Sequence, residues 1–595
     1  MPVWAPTEVG DQMTLARLGP IERFERAYWS DYIELRSELA ALRREDPGAF
    51  EQAAHEAYEV LDSKTMTAVA DALAATGEIN HWAAHWASVA LLAFGFGELA
   101  ADVLAQVPAG PKNVKFHVSR ALALVACGQI PAARDYLASE LPEGEIDKSL
   151  DALRESLDLA CADEEAFTSG PDWNRAWRLT AFFLSWGARR QSRRVVECAL
   201  GLPPAVEKPE YSDMFRVLTL GLKLGVDIEA IEKVLAVARS KRPAKTDLKA
   251  LALTCELERG RPFAPTADPL LTENSGLRFA HALAKQAWGD LEDATASLGR
   301  LCNEFRTDGE VRYALADCVG ALVLRDAKPS FARTRRRPRP RIVNVLPFYN
   351  ELSLLKLHLD EMAGWVDHFV IVEADQTFAG VPKPLVFHEN QHLFSAYASQ
   401  ITHIAVRFPE SLNTHWARDF YQRDSAVAPL PDLCGEDDHV LITDVDEIVA
   451  GRALEGFTGD FAGLRMKTYR FFLNYGPIQQ TPRRTGAIFK AKYLDRFGIS
   501  HARFAISRHH PDWPRILDAG WHFTSVGEAE TIAAKYRNYA HQERSNPLHS
   551  EDRAVELLAA VRAGRYEDGW TKHDIDESFP AFIVKNLTEM ADVIL

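Results

Sequence analysis

His439-Val440-Leu441-Ile442-Thr443-Asp444-Val445-Asp446-Glu447 decides how this chain is read. The apolar run Val440 to Ile442 has the length of a short buried strand. It ends in three carboxylates, Asp444, Asp446 and Glu447. Charges at the end of a buried strand are costly unless something compensates them. A divalent cation such as Mg²⁺ or Mn²⁺, which prefers oxygen ligands, is one such partner. Open α/β sheets bind ligands at the carboxyl ends of their strands. The triplet Asp444-Val445-Asp446 is therefore read as a metal and nucleotide-sugar site. An EF-hand loop competes poorly, because Val449 stands where such a loop requires Gly and only one acid spacing fits.

Upstream, Arg341 to Glu351 reads as a buried strand running into a polar turn. An amphipathic helix follows, with Leu352, Leu355, Leu359 and Met362 on one face. His368-Phe369-Val370-Ile371-Val372-Glu373 is a second strand ending in an acid. Strand, helix, strand argues for a parallel sheet of nucleotide-binding type. Pro347, Asn350 and Glu351 are candidates for the nucleotide pocket, and Glu373 and Asp375 for hydrogen bonds to a base or ribose. Turn formation is the plainer role for Glu373 and Asp375. Lys383 and Arg423 are candidates for phosphate or acceptor contacts, or are surface cations. Arg423-Asp424 also reads as an internal structural pair.

Several blocks, in order, carry a resemblance. They are Asn350 to Leu355, Val366 to Ala374, Thr377 to Leu385, Arg423-Asp424, Asp444 to Ile448, Gly520-Trp521-His522-Phe523, Lys535, and Ala540-His541-Gln542-Glu543. The stretch from about residue 340 to 590 resembles the glycosyltransferase family 17 domain of β-1,4-N-acetylglucosaminyltransferases. The resemblance implies a GT-A (Rossmann-like α/β) fold, a metal-assisted nucleotide-sugar donor (UDP-GlcNAc or related) and inversion at the anomeric carbon. It also puts Thr377 and Asp424 on the donor side. A cation on Asp444 and Asp446 would act as a Lewis acid for the departing diphosphate. Asp446 is the candidate direct ligand, and Asp444 meets the ribose or a metal-bound water. His522, late in the fold, is a candidate third metal ligand or a core histidine. Trp521 stacks on a sugar ring or fills the core. Inversion needs a base to take the acceptor proton, and Asp518, Glu528 and Asp512 are the candidates.

The chain before residue 330 has a different pattern. Apolar residues recur at three and four, with short Gly-bearing turns at Gly97, Gly128 and Gly289, and further candidates at Gly187, Gly225 and Gly260. Spacings of about 29 to 38 residues resemble degenerate tetratricopeptide repeats, which present a concave surface to a protein or peptide. The expected organisation is an α-helical repeat region over 1–330, a basic Arg/Pro linker over 331–341 and an α/β domain over 342–595. Gly95-Phe96-Gly97-Glu98-Leu99-Ala100 matches a dinucleotide fingerprint but follows a helical pattern rather than a strand. His81 and His85 lack the glutamate a zinc-protease helix requires and read as packing or surface residues. The Arg333–Arg341 segment reads as a solvated hinge, or as a strip for an anionic surface.

With 47% hydrophobic and 26% charged residues the composition is globular. A net charge of −16 argues against general nucleic-acid binding. No run of 18 apolar residues and no secretory pattern are present. Seven cysteines without a CxxC pair suggest reduced thiols and a cytoplasmic setting. The sequence thus leads to a sugar transferase whose repeat region recruits a protein acceptor, such as a flagellin-like protein. For such an acceptor a CMP-linked donor competes with UDP. A polysaccharide or lipid-linked glycan acceptor, or a scaffold with a degenerate transferase half, are the rival readings.

Overall fold

The computed structural model describes residues 27–28, 32–59, 62–74, 84–85, 87–88, 91–92, 97–107, 114–141, 148–169, 172–185, 188–201, 208–242, 244–259, 274–305, 309–333, 339–509, 514–538, 548, 550–565 and 569–595. They fall into two compact units, Met1–Ala284 and Lys285–Leu595.

The first unit is helical among its described residues. Helices Val114–Ala126 and Ile130–Glu140 pack on each other across a turn in which Gly128 has φ +77°. Gly225, at φ +68°, joins Lys208–Lys223 to Ile228–Lys241 in the same way. Only glycine adopts this backbone without a Cβ penalty, so these residues end one helix and allow the next. Trp173, Val196, Met214, Leu218, Ile231 and Leu251 form a shared core under five of the helices. Gly97 lies inside helix Gly97–Ala105, where a Cβ would come 2.3 Å from that of Ala126. Close helix packing accounts for this glycine. His85 is buried against the Ser119 hydroxyl (2.9 Å), and burial pushes its pKa down to about 4. That environment is a packed core, not a metal site. His81, Gly187 and Gly260 lie outside the described residues.

In the second unit, helices α1 (Leu291–Glu304) and α2 (Gly309–Ala327) precede the sheet. Buried side chains run along α2 from Val311 to Val323 with scarcely a break. A helix apolar on all sides belongs inside a protein, and α2 packs on helices α4 (His415–Asp424) and α5 (Ile499–Phe504). The second unit therefore starts before the basic segment, with two helices that the sequence pattern groups with the repeats. Arg339, near the end of that segment, pairs with Asp367 through both guanidinium nitrogens (2.9 and 3.2 Å), and the Arg341 N–H donates to Asp438 (2.8 Å). Residues 334–338 lie outside the described residues.

Among the described residues the main sheet has nine strands in the order β3-β2-β1-β4-β8-β6-β10-β5, with β9 (Arg515–Ile516) beside β6, while β7 (Tyr475–Pro477) and β11 (Trp570–Lys572) pair in a small sheet of their own. The left half is parallel: β1 (Ile342–Phe348) lies between β2 (His368–Ala374) and β4 (His439–Ile442), with β3 (Ile401–Val406) outside β2. Strands buried on both faces read as continuous apolar runs, and β4 is buried throughout. The 3-2-1-4 order reverses direction between β1 and β4, which is where open parallel sheets bind ligands. Helix α3 (Leu352–Met362) makes the β1–β2 crossover, burying Leu355, Leu359 and Met362 as its periodicity predicts. Beyond β4 the sheet turns mixed: β8 (Arg483–Lys490) is antiparallel to β4, and β6 (Phe461–Arg470) is antiparallel to β8. Strand β10 (Gly520–Thr524) runs parallel to β6, and β5 (Glu447–Val449) runs antiparallel to β10. Among the described residues no helix is long and apolar enough to cross a membrane.

Candidate functional site

Asp444 to Glu447 form the turn between β4 and β5, at the switch point of the sheet. The turn is tied at both ends. The Asp444 N–H donates to Glu447 Oε2 (3.0 Å), and the Phe523 N–H of β10 donates to the Asp446 carbonyl (2.8 Å). His358 of α3 supports it from below, with Nδ1 3.1 Å from the Val445 carbonyl and Nε2 2.9 Å from Asn344 Oδ1. Both nitrogens face acceptors, so only a charged ring satisfies both, while burial pushes the histidine down to about 4. A neutral ring donates to one of the two acceptors, of which the Val445 carbonyl belongs to the turn.

The two aspartates have different partners. Asp444 Oδ1 accepts from Arg423 Nη2 and Arg503 Nη1, both at 2.8 Å, and Oδ2 accepts from Arg503 Nη2 at 3.3 Å. Arg503 Nη2 also reaches both oxygens of Glu447 at 2.9 Å. Arg423 is held in turn by Asp419, one helical turn back on α4. Burial opposes ionisation of Asp444, but the two guanidiniums outweigh it and hold the carboxyl well below its ordinary range. Three carboxylates thus share two guanidiniums, and burial raises the pKa of Asp419 and of Glu447.

Asp446 faces a different set. Its Oδ2 accepts from Lys535 Nζ (2.6 Å), on helix α6 (Ala529–Asn538), and its Oδ1 lies 3.6 Å from His522 Nε2 on β10. Burial lowers the Lys535 pKa, yet Asp446 and Glu351 more than reverse this, so the amine is held charged above its ordinary value. Glu351 Oε2 receives the N–H groups of Tyr349 (3.3 Å) and Asn350 (3.1 Å), shaping the turn after β1, and Asn350 is exposed there. Pro347 is half-buried within β1, opposite Val372.

Other expected site residues are internal. Glu373 is fully buried and receives Lys383 Nζ (3.1 Å) and the Phe387 N–H (3.1 Å), with His403 Nε2 3.3 Å away. Burial raises its pKa, but these donors prevail and lower it. It anchors the loop after β2 rather than meeting a base or ribose. Lys383 is thereby committed to Glu373 and to the Pro384 carbonyl (3.0 Å). Thr377 closes the 377–381 turn through the Val381 N–H, at 3.2 Å from its hydroxyl. Asp375 differs, because its Oδ1 is buried and has no hydrogen-bond partner. Asp424 is fully buried and receives the Ser500 N–H (2.7 Å), while Oδ2 has no partner. Burial pushes it up to about 7, which makes it a structural residue between α4 and α5. Trp521 is buried, with its indole N–H on the Ser578 carbonyl (3.0 Å), so it fills the core.

Of the candidate bases, Asp518 and Glu528 lie among the described residues. Asp518, at φ +52°, pairs with Lys467 (3.2 Å) and Arg452 (3.4 Å). It lies in the turn before β10, four residues ahead of His522. Glu528 is exposed at the start of α6, about two turns before Lys535. Asp512 and His541 to Glu543 lie outside the described residues.

A metal held by Asp446 and His522 fits this donor set. Asp446 Oδ1 in the turn and His522 Nε2 on β10 lie 3.6 Å apart, and Mg²⁺ is commonly held by one or two carboxylates plus substrate phosphates. No group of three potential ligands occurs among the described residues, so phosphate oxygens would have to complete such a site. Asp444 does not fit as a ligand, since both its oxygens are engaged by guanidiniums.

Residues 331–558 match the family model of glycosyltransferase family 17. This segment is a glycosyltransferase family 17 domain. The chain is also similar to β-1,4-mannosyl-glycoprotein 4-β-N-acetylglucosaminyltransferases. The Rattus norvegicus and Homo sapiens enzymes are each 30% identical over 153 residues, covering 23% of this chain and 28% of the relative. The Mus musculus enzyme is 29% identical over the same length. The chain thus spans little more than a quarter of the length of these relatives, and the matched family segment stops well short of its first helical unit. Within the transferase domain, Arg503, Asp419 and His358 were not foreseen as parts of the site. Arg503 and His358 meet partners 59 and 87 residues away in sequence, Asp419 reaches the turn only through Arg423, and nothing local to Ala502-Arg503-Phe504 signals a site.

Proposed function

We propose that the second unit is a GT-A type, inverting glycosyltransferase that moves GlcNAc or a related sugar from a UDP-sugar, with a divalent ion bound by Asp446 and His522. The observation that carries this reading is the approach of Asp446 and His522 (3.6 Å) at the carboxyl end of β4, beside the β1–β4 switch point. When bound, the ion supplies positive charge to the departing diphosphate. Lys535 orients Asp446 and keeps a second positive charge beside it. Arg423 and Arg503 hold Asp444 at the ribose side of the turn. The unpartnered Asp375 Oδ1 suits a donor hydroxyl or imide N–H, because a buried acceptor without a donor is costly. The helical region before the transferase would act as a tetratricopeptide-like solenoid that recruits a protein acceptor, a flagellin-like protein being one example, in the cytoplasm.

The test is thermal stabilisation of the full chain by UDP, UDP-GlcNAc and CMP, each with and without Mn²⁺, beside Asp446→Ala. Metal-dependent stabilisation by the UDP compounds, lost in the variant, is the expected result. Stabilisation by CMP alone, or equal stabilisation of the variant, would overturn the donor assignment.

A further inference from the structure

Helix α5, Ile499–Phe504, has only six residues, too few to hold a helical conformation unaided. Every turn of it is fastened to something else. Asp424 of α4 accepts the Ser500 N–H (2.7 Å), and the Ser500 hydroxyl donates to the Phe420 carbonyl (3.3 Å). His501 Nδ1 meets Asp317 Oδ1 of α2 at 2.7 Å, with both side chains buried. Phe504 is ringed edge-on by Tyr313 of α2 (5.7 Å) and by Phe420 and Trp416 of α4 (5.4 and 6.4 Å). At Gly498, just before α5, a Cβ would lie 2.6 Å from the Gly320 Cα of α2, so the two backbones touch. A π-helical turn, Ala505–His509, follows directly, and the Ser507 hydroxyl donates to the Arg503 carbonyl (2.7 Å). Such turns are frequent at functional sites.

The side chain presented by this clamped helix is Arg503. It is buried, and its two terminal nitrogens bridge Asp444 and Glu447, the first and last residues of the acidic turn. Together with the Asp444 N–H bond to Glu447 it closes a ring around Val445 and Asp446. A planar fork can hold both carboxylates at once, whereas an ammonium supplies the charge without the fork.

We propose that Arg503 is the positioning residue that fixes the direction of Asp446, and that the buried helix α2 sets Arg503 through Asp317, His501 and the Gly320–Gly498 contact. This rests on the transferase reading above. The helical pair α1–α2 is then a working part of the transferase site and not a spacer in front of it.

The test measures UDP affinity of the full chain by calorimetry with Mn²⁺, for wild type, Arg503→Ala, Arg503→Lys and Asp317→Asn, with far-UV circular dichroism on each. Arg503→Ala should bind UDP at least tenfold more weakly, Arg503→Lys should regain part of the loss, and millimolar methylguanidinium should restore Arg503→Ala. Asp317→Asn should weaken binding about threefold while its spectrum stays native. A merely structural role for Arg503 would not give rescue by an added guanidinium. Unchanged UDP affinity in Arg503→Ala, or a loss that neither lysine nor methylguanidinium relieves, would overturn the proposal alone. A wild-type chain that binds no UDP would overturn the transferase reading and this proposal with it.

Discussion

Replacing Gly498 by alanine tests whether α2 and the transferase sheet are one folded body. The new methyl would lie 2.6 Å from Gly320 Cα, 2.9 Å from Asp424 Oδ2 and 3.0 Å from Asp424 Cγ. The nearest of these is backbone of a buried helix, which cannot rotate away, and the others belong to a fully buried carboxyl. Overpacking of this kind costs about 1–3 kcal/mol. Gly498 is also the N-cap of α5, where alanine is poorer than glycine and adds up to about 1 kcal/mol. The sum is about 1–4 kcal/mol. At the shallow slope expected for a unit of this size, that lowers Tm by about 2–8 °C. Differential scanning calorimetry of the full chain reads the shift. Gly364→Ala is the control, since nothing lies within 4 Å of its added methyl, and it should change Tm by no more than about 1 °C. A Gly498→Ala chain that melts with wild type would show that α2 does not press on α5.

Further outcomes follow from the same site. Asp424 has a folded pKa of about 7 against an ordinary value of 3.8, raised chiefly by burial. The folded state holds this proton more tightly than the unfolded chain, so its contribution to stability is full below about pH 4 and is lost as pH rises through 7. The bound on that loss is about 4 kcal/mol. Asp424→Asn should flatten the fall in Tm between pH 5 and 8, and an unchanged slope would show that another group is responsible. Lys535→Met should leave Asp446 without its amine and weaken UDP binding at least tenfold in calorimetry, with Tm changed by only a few degrees. Equal affinity in wild type and variant would remove Lys535 from the site. His522→Ala should weaken Mn²⁺ binding in the presence of UDP, followed by the electron paramagnetic resonance signal of free Mn²⁺, and an identical titration would rule out the histidine as a ligand.

The parallel half of the fold was legible because its strands are continuous apolar runs that end in polar turns. β1, β2 and β4 and the face of α3 all follow from that pattern. The mixed half was not, since the pairing of β8, β6, β10 and β5 depends on contacts far apart in sequence. Helix α2 could not be separated from the repeats, because a helix buried on all sides carries the same Ala- and Leu-rich composition wherever it packs. In the site, the acidic turn and its histidine stood out as polar residues within apolar strands. What a carboxylate touches cannot be read this way. Glu373, Asp375, Asp424 and Asp444 look alike in sequence. The structure gives the first a lysine and backbone donors, the second a bare oxygen, the third a helix end, and the fourth two arginines.

The central claim is that a nucleotide-sugar binds where Asp446 stands. Calorimetric titration of UDP-GlcNAc into the full chain with Mn²⁺, repeated with Asp446→Asn, addresses it most directly. The substitution keeps the shape and removes the charge, and a loss of at least tenfold in affinity, about 1.4 kcal/mol, is expected. Binding of equal strength in the two proteins would place the donor elsewhere and contradict the account.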